Sequence, residues 1–262
     1  MTINQAFAIL SGAGGNRAAR IITENMPNLS RFRIWIIARQ LRRGVPVAKI
    51  IHMKWFYGLR FYTNKYTLDP RPDTETLVDS VLNTAKQISE PRILDLGTGT
   101  GCILGAILHN LPNATGTGID ISRRAIRVAK HNMSALNIAN RAKITRKSFA
   151  RPDAVHEKFN IIVSNPPYIA RGDARVNDGA HHDPDIALYA DENGLAAYRK
   201  IAQNARQWIV PGGKIFLEIG VDMESAVTKI FQDAGWTPCG THRDLGGITR
   251  VLVFNIGGEN PQ

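Results

Sequence analysis

Residues 92–101 read Arg92-Ile93-Leu94-Asp95-Leu96-Gly97-Thr98-Gly99-Thr100-Gly101. A short apolar run of strand length stops at three glycines spaced two apart. An apolar helical stretch through Ile103, Leu104 and Ile107 follows. This is the pattern of a strand that turns sharply into a helix. Glycine lets the backbone turn and approach a ligand with no Cβ in the way. The start of the helix offers unpaired N–H groups to a carboxylate or phosphate.

Working outward, the chain alternates. A strand over 115–120 ends in Asp120, and Ser122 caps the next helix. A short strand near 143–146 precedes a strand over 159–164 (FNIIVS), a long loop and a helix around 194–209. After a loop at Pro211-Gly212-Gly213 come a strand over 214–219 (KIFLEI), a helix over 223–234 and a last strand over 250–254 (RVLVF). Strands alternating with helices predict an α/β fold with a mostly parallel sheet covered on both faces. Ligands then bind at the carboxyl ends of the strands. Upstream, the first 45 residues read as helical. Ser30 caps a helix running through Phe32, Trp35, Ile36 and Leu41, with Arg39, Arg42 and Arg43 in its last turn and Gly44 and Pro46 as stops. Residues 55–67 (WFYGLRFYTNKYT) read as a hairpin, Asp69-Pro70-Arg71-Pro72 as a break, and Thr74 to Gln87 as a helix. The organisation expected is a helical N-terminal domain (1–54), a β-hairpin linker (55–70) and a catalytic domain (71–262).

The 262 residues carry a net charge of +11, and its distribution is uneven. Residues 1–65 hold eleven Lys or Arg against the single acid Glu24, whereas the remainder is nearly neutral. Such a segment suits an acidic protein or a phosphate backbone, or is simply a solvated helical surface. No apolar run has the length of a membrane span. Cys102 and Cys239 lie too far apart for a C-x-x-C pair, which fits a reducing compartment. Residues 1–23 are free of acids, as import peptides are, but a bacterial-type cytoplasm is the expectation over an organelle.

A dinucleotide-binding G-x-G-x-x-G would place glycine at 102, where the chain has Cys102. The spacing here is G-x-G-x-G, with Asp95 two residues before the first glycine and Asp120 positioned for ribose hydroxyls. It looks like the first motif of Rossmann-like methyltransferases, although a tight structural turn would use the same glycines. The sharper signal is Asn165-Pro166-Pro167-Tyr168, directly after FNIIVS. An amide nitrogen is a poor nucleophile because its lone pair is delocalised into the carbonyl. Acceptors aimed at its two hydrogens stabilise the charge that develops as it attacks. The Asn165 side-chain oxygen and the Pro166 carbonyl are such acceptors. The prolines fix φ and donate no N–H, and Tyr168 offers a flat face for a planar group. The plain alternative, a strand-ending turn, uses the same residues.

The chain resembles the PrmC/HemK family of release-factor glutamine N5-methyltransferases over roughly residues 44–255. The resemblance rests on Gly44-Val45-Pro46, Phe56-Tyr57-Gly58-Leu59, Pro70-Arg71-Pro72-Asp73-Thr74-Glu75-Thr76-Leu77-Val78 and Leu94 to Gly101. It continues with Asn165 to Ile169, Asp183-Pro184-x-x-Ala187-Leu188, Asn193-Gly194-Leu195 and Pro211-Gly212-Gly213-Lys214. It implies a Rossmann-like class I methyltransferase with a seven-stranded, mostly parallel sheet, a small helical N-terminal domain and a β-hairpin linker. The cofactor implied is S-adenosyl-L-methionine, held by Gly97, Thr98, Gly99, Thr100, Gly101, Asp120, Phe149 and Asn165. Asn165, Pro166 and Tyr168 would be catalytic. Asn165, Pro166, Pro167, Tyr168, Arg71, Thr74 and Glu75 would bind the glutamine of the Gly-Gly-Gln motif in peptide-chain release factors. Ser148 stands where the family has an acid, and Asp183 where it has a glutamate.

The implied enzyme is a monomer with no membrane or direct nucleic-acid partner. The main alternative is an adenine-N6 DNA or RNA methyltransferase, since a flipped adenine poses the same chemical problem. Only about 70 residues lie outside the catalytic domain to read a nucleic-acid sequence. A non-catalytic module that binds the same cofactor is a third possibility. His181-His182-Asp183 lacks a third spaced histidine, and no metal is expected.

Overall fold

The computed structural model describes residues 2–173 and 181–256. The chain opens with three helices, α1 (Ile3–Asn25), α2 (Arg31–Arg42) and α3 (Val47–Ile51). Thr2 and Gln5 form a capping box at the start of α1, which kinks at Gly15 (φ 84°). Ser30 caps α2 by accepting from the Arg33 N–H. The buried face of α2 departs from the expectation. Ile34, Ile37, Ala38 and Leu41 share a core with Leu10, Ala19 and Ile22 of α1, while Phe32 and Trp35 are 72% and 56% exposed. Apolar residues surround α2 nearly all the way, so packing against α1, not periodicity, selects the inward face.

Next comes a hairpin of β1 (Met53–Phe56) and β2 (Leu59–Tyr62), paired antiparallel. Tyr57 and Gly58 form its turn, both at positive φ (52° and 71°), as a two-residue primed turn requires. The strands begin two residues before the stretch read from sequence and end at Tyr62. Phe56 and Phe61 are fully buried and join the hairpin to the main core.

After α4 (Glu75–Ala85), the rest builds a single sheet. Its strands are β3 (Arg92–Leu96), β4 (Thr115–Asp120), β5 (Ala142–Arg146), β6 (Phe159–Ser164), β7 (Ile209–Glu218), β8 (Trp236–Arg243) and β9 (Thr249–Ile256). The order across the sheet is β5-β4-β3-β6-β7-β9-β8. The first five of these are parallel to their neighbours, and β9 is antiparallel to both β7 and β8. The helices between strands are α5 (Cys102–Asn110), α6 (Arg123–Ala135), α7 (Asp185–Leu188), α8 (Ala196–Asn204) and α9 (Glu224–Asp233). One face of the sheet packs on Leu77, Val81, Leu104 and Ile107, the other on Tyr198, Trp208, Val227 and Phe231.

Two sheet elements differ from the sequence reading. Pro211-Gly212-Gly213 lies inside β7 rather than before it, where the pairing with β6 slips between Phe159 and Ile161. The glycines accommodate that irregularity. β8 was not foreseen, because it is an edge strand whose only buried residue is Trp236.

The chain passes from β3 to β4 on one side of β3, while β6 lies on the other. This reversal opens a crevice above the carboxyl ends of β3, β4 and β6. Gly97, Asp120 and Asn165 all stand at that rim.

Candidate active site

The glycine loop leaves β3 with Gly97, Gly99 and Gly101 at φ of 75°, 55° and 78°. These are values that side chains other than glycine's adopt at a cost. A Cβ on Gly101 would lie 2.7 Å from Met133 Cε, so this glycine lets α5 pack on α6. The two threonines between the glycines point inward. Thr98 donates from its hydroxyl to Asp95 Oδ2 at 2.6 Å, and the Thr100 carbonyl accepts from Asn132 Nδ2 at 2.9 Å. Their burial leaves bare backbone at Gly97 and Gly99 to line the crevice. Asp120 holds the loop from the neighbouring strand, accepting from Gly99 N at 3.0 Å and from Ser122 N at 2.8 Å. Burial raises its carboxyl above the ordinary range, and the backbone N–H donors oppose that.

One cavity of about 310 Å³ is lined by Gly97, Gly99, Asp120, Phe149, Asn165 and Pro167. Phe149 is presented by a turn that Ser148 stabilises through its hydroxyl, which accepts from Ala150 N at 3.2 Å. Ser148 thus does local work where the resemblance leads to an acid. The cavity takes further walls from residues the motifs did not single out, including Tyr66 and Leu68 after the hairpin, Ile121, Ile186 and Lys200. The Asp183-Pro184-x-x-Ala187-Leu188 motif signalled one of these walls, since α7 follows Pro184.

Thr98, Thr100, Gly101 and Pro166 do not line this cavity, and Tyr168 faces elsewhere. Tyr168 borders a second space of about 320 Å³ with Ile169, Gly220, Met223 and Arg250. The tetrapeptide therefore forms a wall between two cavities. Tyr168 is held tightly. A Cβ on Gly194 would run into the Tyr168 carbonyl, and one on Gly220 would lie 3.0 Å from its ring. The Asn193-Gly194-Leu195 motif owes its glycine to that contact.

Three upstream residues occupy supporting positions. Thr74 is 2% exposed and accepts from Asn165 Nδ2 at 3.2 Å. Glu75 accepts from Tyr57 N at 2.8 Å and so ties the hairpin to α4. Arg71 donates to Asp183 Oδ2 at 2.7 Å. Asp183 also lies 2.8 Å from the buried Lys49, which reaches Asp69 at 2.8 Å as well. Behind Asn165, Glu218 ends β7 with 2% exposure, and burial pushes its carboxyl up to about 7. Among the described residues, no three His, Cys, Asp or Glu side chains gather as a metal would need. Nor is any described helix long and apolar enough to cross a membrane.

The family model for the methyltransferase small domain matches residues 71–181. The release factor glutamine methyltransferase of Caulobacter vibrioides is 36% identical over 261 residues, covering 98% of this chain and 89% of that protein. The chain belongs to the release factor glutamine methyltransferase family. A bifunctional methyltransferase of Rickettsia felis is 39% identical over 84% of this chain, and the chain spans about half (47%) of that longer relative. Among solved structures, the catalytic domain of hMettl16 in complex with the MAT2A 3′UTR hairpin 6 superposes with a TM-score of 0.58. It is 14% identical, with 78% of this chain and 77% of that one covered. The shared architecture is that of class I S-adenosylmethionine-dependent methyltransferases.

The cavity suits that family's cofactor. Bare backbone at Gly97 and Gly99 would leave room for an amino-acid end, Asp120 would offer carboxylate oxygens to a ribose, and Phe149 and Ile121 would offer apolar surface to an adenine.

Proposed function

We propose that this chain is an S-adenosyl-L-methionine-dependent methyltransferase acting on the side-chain amide N5 of the glutamine in the Gly-Gly-Gln motif of peptide-chain release factors, in support of translation termination. The observation that carries this reading is the position of Asn165 and Pro167 on the wall of the same cavity as Gly97, Gly99 and Asp120. The relatives' names add the acceptor, which the tetrapeptide alone does not distinguish from adenine.

The bound cofactor supplies an electrophilic methyl group on a sulfonium. The chain supplies orientation. Asn165 Oδ1, on the cavity wall, accepts one N–H bond of the glutamine amide, and the family resemblance assigns the other to the carbonyl of the adjacent Pro166; the pair would draw the lone pair out of conjugation and stabilise the positive charge that develops. Neither proline donates an N–H, so no competing donor sits between these acceptors. The walls hold the nitrogen in line, which contributes to the rate without a strong base. The basic helices of residues 1–65 give an acidic partner a surface to approach. A monomer in a bacterial cytoplasm, without membrane or nucleic-acid contact, completes the reading.

The test incubates the protein with methyl-labelled cofactor and, in parallel, a release factor, its Gln→Ala variant, DNA and RNA. Label on the release factor that disappears with Gln→Ala is the expected result. Label on nucleic acid alone overturns the reading in favour of an adenine-N6 enzyme, and no label anywhere favours a non-catalytic module.

A further inference from the structure

Asn165 can serve as an acceptor only if its side-chain amide faces the right way. Oxygen and nitrogen ends of an asparagine are nearly identical in shape, so surrounding hydrogen bonds alone select the orientation. A flipped Asn165 would point an NH₂ group at the N–H bonds of the acceptor amide and repel it.

The surroundings of Asn165 are directional. Asn165 Nδ2 donates to Thr74 Oγ1 at 3.2 Å. The Thr74 hydroxyl and the Asn165 side chain are the polar groups close enough to the Glu218 carboxyl to favour its ionised form. A hydroxyl has one hydrogen, so while Thr74 turns it to Glu218 the Thr74 oxygen can only accept from Asn165 and cannot donate to it. An ionised carboxylate has no hydrogen to return, which makes the order Asn165 to Thr74 to Glu218 one-way. Glu218 is fixed in place: Tyr198 donates to its carbonyl at 2.7 Å, and the adjacent Leu217 pairs with Ser164, the residue before Asn165. Its Oε2 is buried and has no hydrogen-bond partner among the described residues. A buried acceptor left unmatched is costly.

We propose that Glu218, acting in its ionised form and through Thr74, is a positioning residue that turns the Asn165 amide so that Oδ1 faces the acceptor nitrogen. This rests on the reading of Asn165 as the group that holds the acceptor amide. Protonated Glu218 can donate to Thr74, Thr74 can then donate to Asn165 Oδ1, and the amide is free to flip. The charge state of Glu218 therefore gates the orientation. Desolvation is the largest influence on that carboxyl, and the bond from Thr74 is the largest opposing one. Arg250 of β9 favours the ionised form, while Asp73 in the turn before α4 disfavours it. The charge of Glu218 is also felt by Tyr168, by Tyr198 of α8 and, more weakly, by Cys102 of α5. Arg250 is itself paired with Asp73 at 3.0 Å and Asp244 at 2.8 Å, which limits how far it offsets burial.

The experiment compares Glu218→Gln, Thr74→Val, Thr74→Ser and Asn165→Ala with the parent in steady-state methylation of a Gly-Gly-Gln release factor between pH 5.5 and 9. Cofactor Kd and thermal unfolding are measured on the same samples. The parent kcat should fall along a single acid limb near neutrality. Glu218→Gln and Thr74→Val should lower kcat about 10- to 100-fold and abolish that limb, with cofactor Kd within threefold of the parent. Thr74→Ser, which restores the hydroxyl, should recover most of kcat. Glu218→Gln removes a buried charge, so its fold should be at least as stable as the parent's. A kcat loss in a more stable protein is not what a merely structural residue would give. Parent-like kcat and pH profile in Glu218→Gln and Thr74→Val, with Asn165→Ala inactive, overturn the proposal and leave the role of Asn165 intact. Undiminished turnover by Asn165→Ala overturns both.

Discussion

Asn132 and Tyr62 exchange two hydrogen bonds: Asn132 Oδ1 accepts from Tyr62 N at 2.8 Å, and Asn132 Nδ2 donates to the Tyr62 carbonyl at 3.0 Å. The second Nδ2 hydrogen goes to the Thr100 carbonyl at 2.9 Å. One buried side chain on α6 thus completes the edge of the hairpin and braces the glycine loop. Asn132→Ala leaves three backbone groups without partners. We expect it to lose about 2–4 kcal/mol of unfolding free energy. Asn132→Asp keeps the acceptor for Tyr62 N but loses both donors, and a carboxylate facing two carbonyls should cost at least as much. Urea unfolding followed by tryptophan fluorescence measures both. A loss below about 1 kcal/mol for Asn132→Ala would contradict the bracing role.

Lys49 joins parts of the chain that are distant in sequence. The residue is 7% exposed, and its ammonium lies 2.8 Å from both Asp69 and Asp183, with the Asn64 carbonyl at 2.9 Å. Lys49→Met takes the shared cation from two buried carboxylates, leaving Asp69 with the Thr63 hydroxyl and Asp183 with Arg71. Removing one side of a buried ionic cluster costs about 3–5 kcal/mol. Adding Asp69→Asn and Asp183→Asn removes the stranded charges and should restore at least half of that loss. Equal stability of the single and triple variants would show that packing of the lysine stem, not its charge, is what matters.

These two clusters mark the boundary of what the sequence made legible. The core strands could be read because they are buried on both faces and appear as continuous apolar runs, as in RILDL and FNIIVS. β8 could not, because an edge strand with one buried residue carries no such run. Gly97, Gly99, Asp120 and Asn165 were legible because each sits at the end of a readable strand, where the fold class itself places a ligand. Thr74 came in only with a motif, which could not say that it faces Asn165 and not the cavity. Glu218 belongs to no motif. It occurs in KIFLEI as an apparently ordinary strand residue, and its importance arises from the parallel pairing of β6 with β7. Contacts of this kind depend on which strands become neighbours, and local patterning does not encode that.

Asp120 offers a separate test of the cavity's occupant. Its two oxygens are satisfied by Gly99 and Ser122 backbone donors, and each retains a lone pair for a ribose hydroxyl. Asp120→Asn keeps the shape, loses the charge and turns one acceptor into a donor. Isothermal titration with S-adenosyl-L-methionine should show binding weakened by about 10- to 100-fold. Since the loop also depends on this side chain, the ligand-free protein should melt a few degrees lower. Unchanged affinity would remove Asp120 from the cofactor site.

Asp95 gives the protein a pH-dependent stability whose sign can be worked out. The carboxyl is fully buried, receives the Thr98 hydroxyl at 2.6 Å on Oδ2, and has no hydrogen-bond partner on Oδ1 among the described residues. Burial raises it from 3.8 to about 7, against the pull of Thr98. Between those two values the unfolded chain has released this proton while the folded one retains it. Stability therefore falls as pH rises through the interval and levels off above about 7. Each pH unit of it is worth about 1.4 kcal/mol, so the full contribution is on the order of 4 kcal/mol. Asp95→Asn has no proton to lose there, and its amide oxygen can still accept from Thr98. The difference in unfolding free energy, variant minus parent, should thus increase from pH 5 and flatten above about pH 7, making the variant relatively better at the alkaline end. Glu218 titrates in the same range, so the parent alone cannot separate the two, whereas the difference cancels the Glu218 contribution as long as the sites act independently. Denaturant unfolding at half-unit pH steps measures it, and a flat difference would mean that Asp95 ionises freely in the folded state.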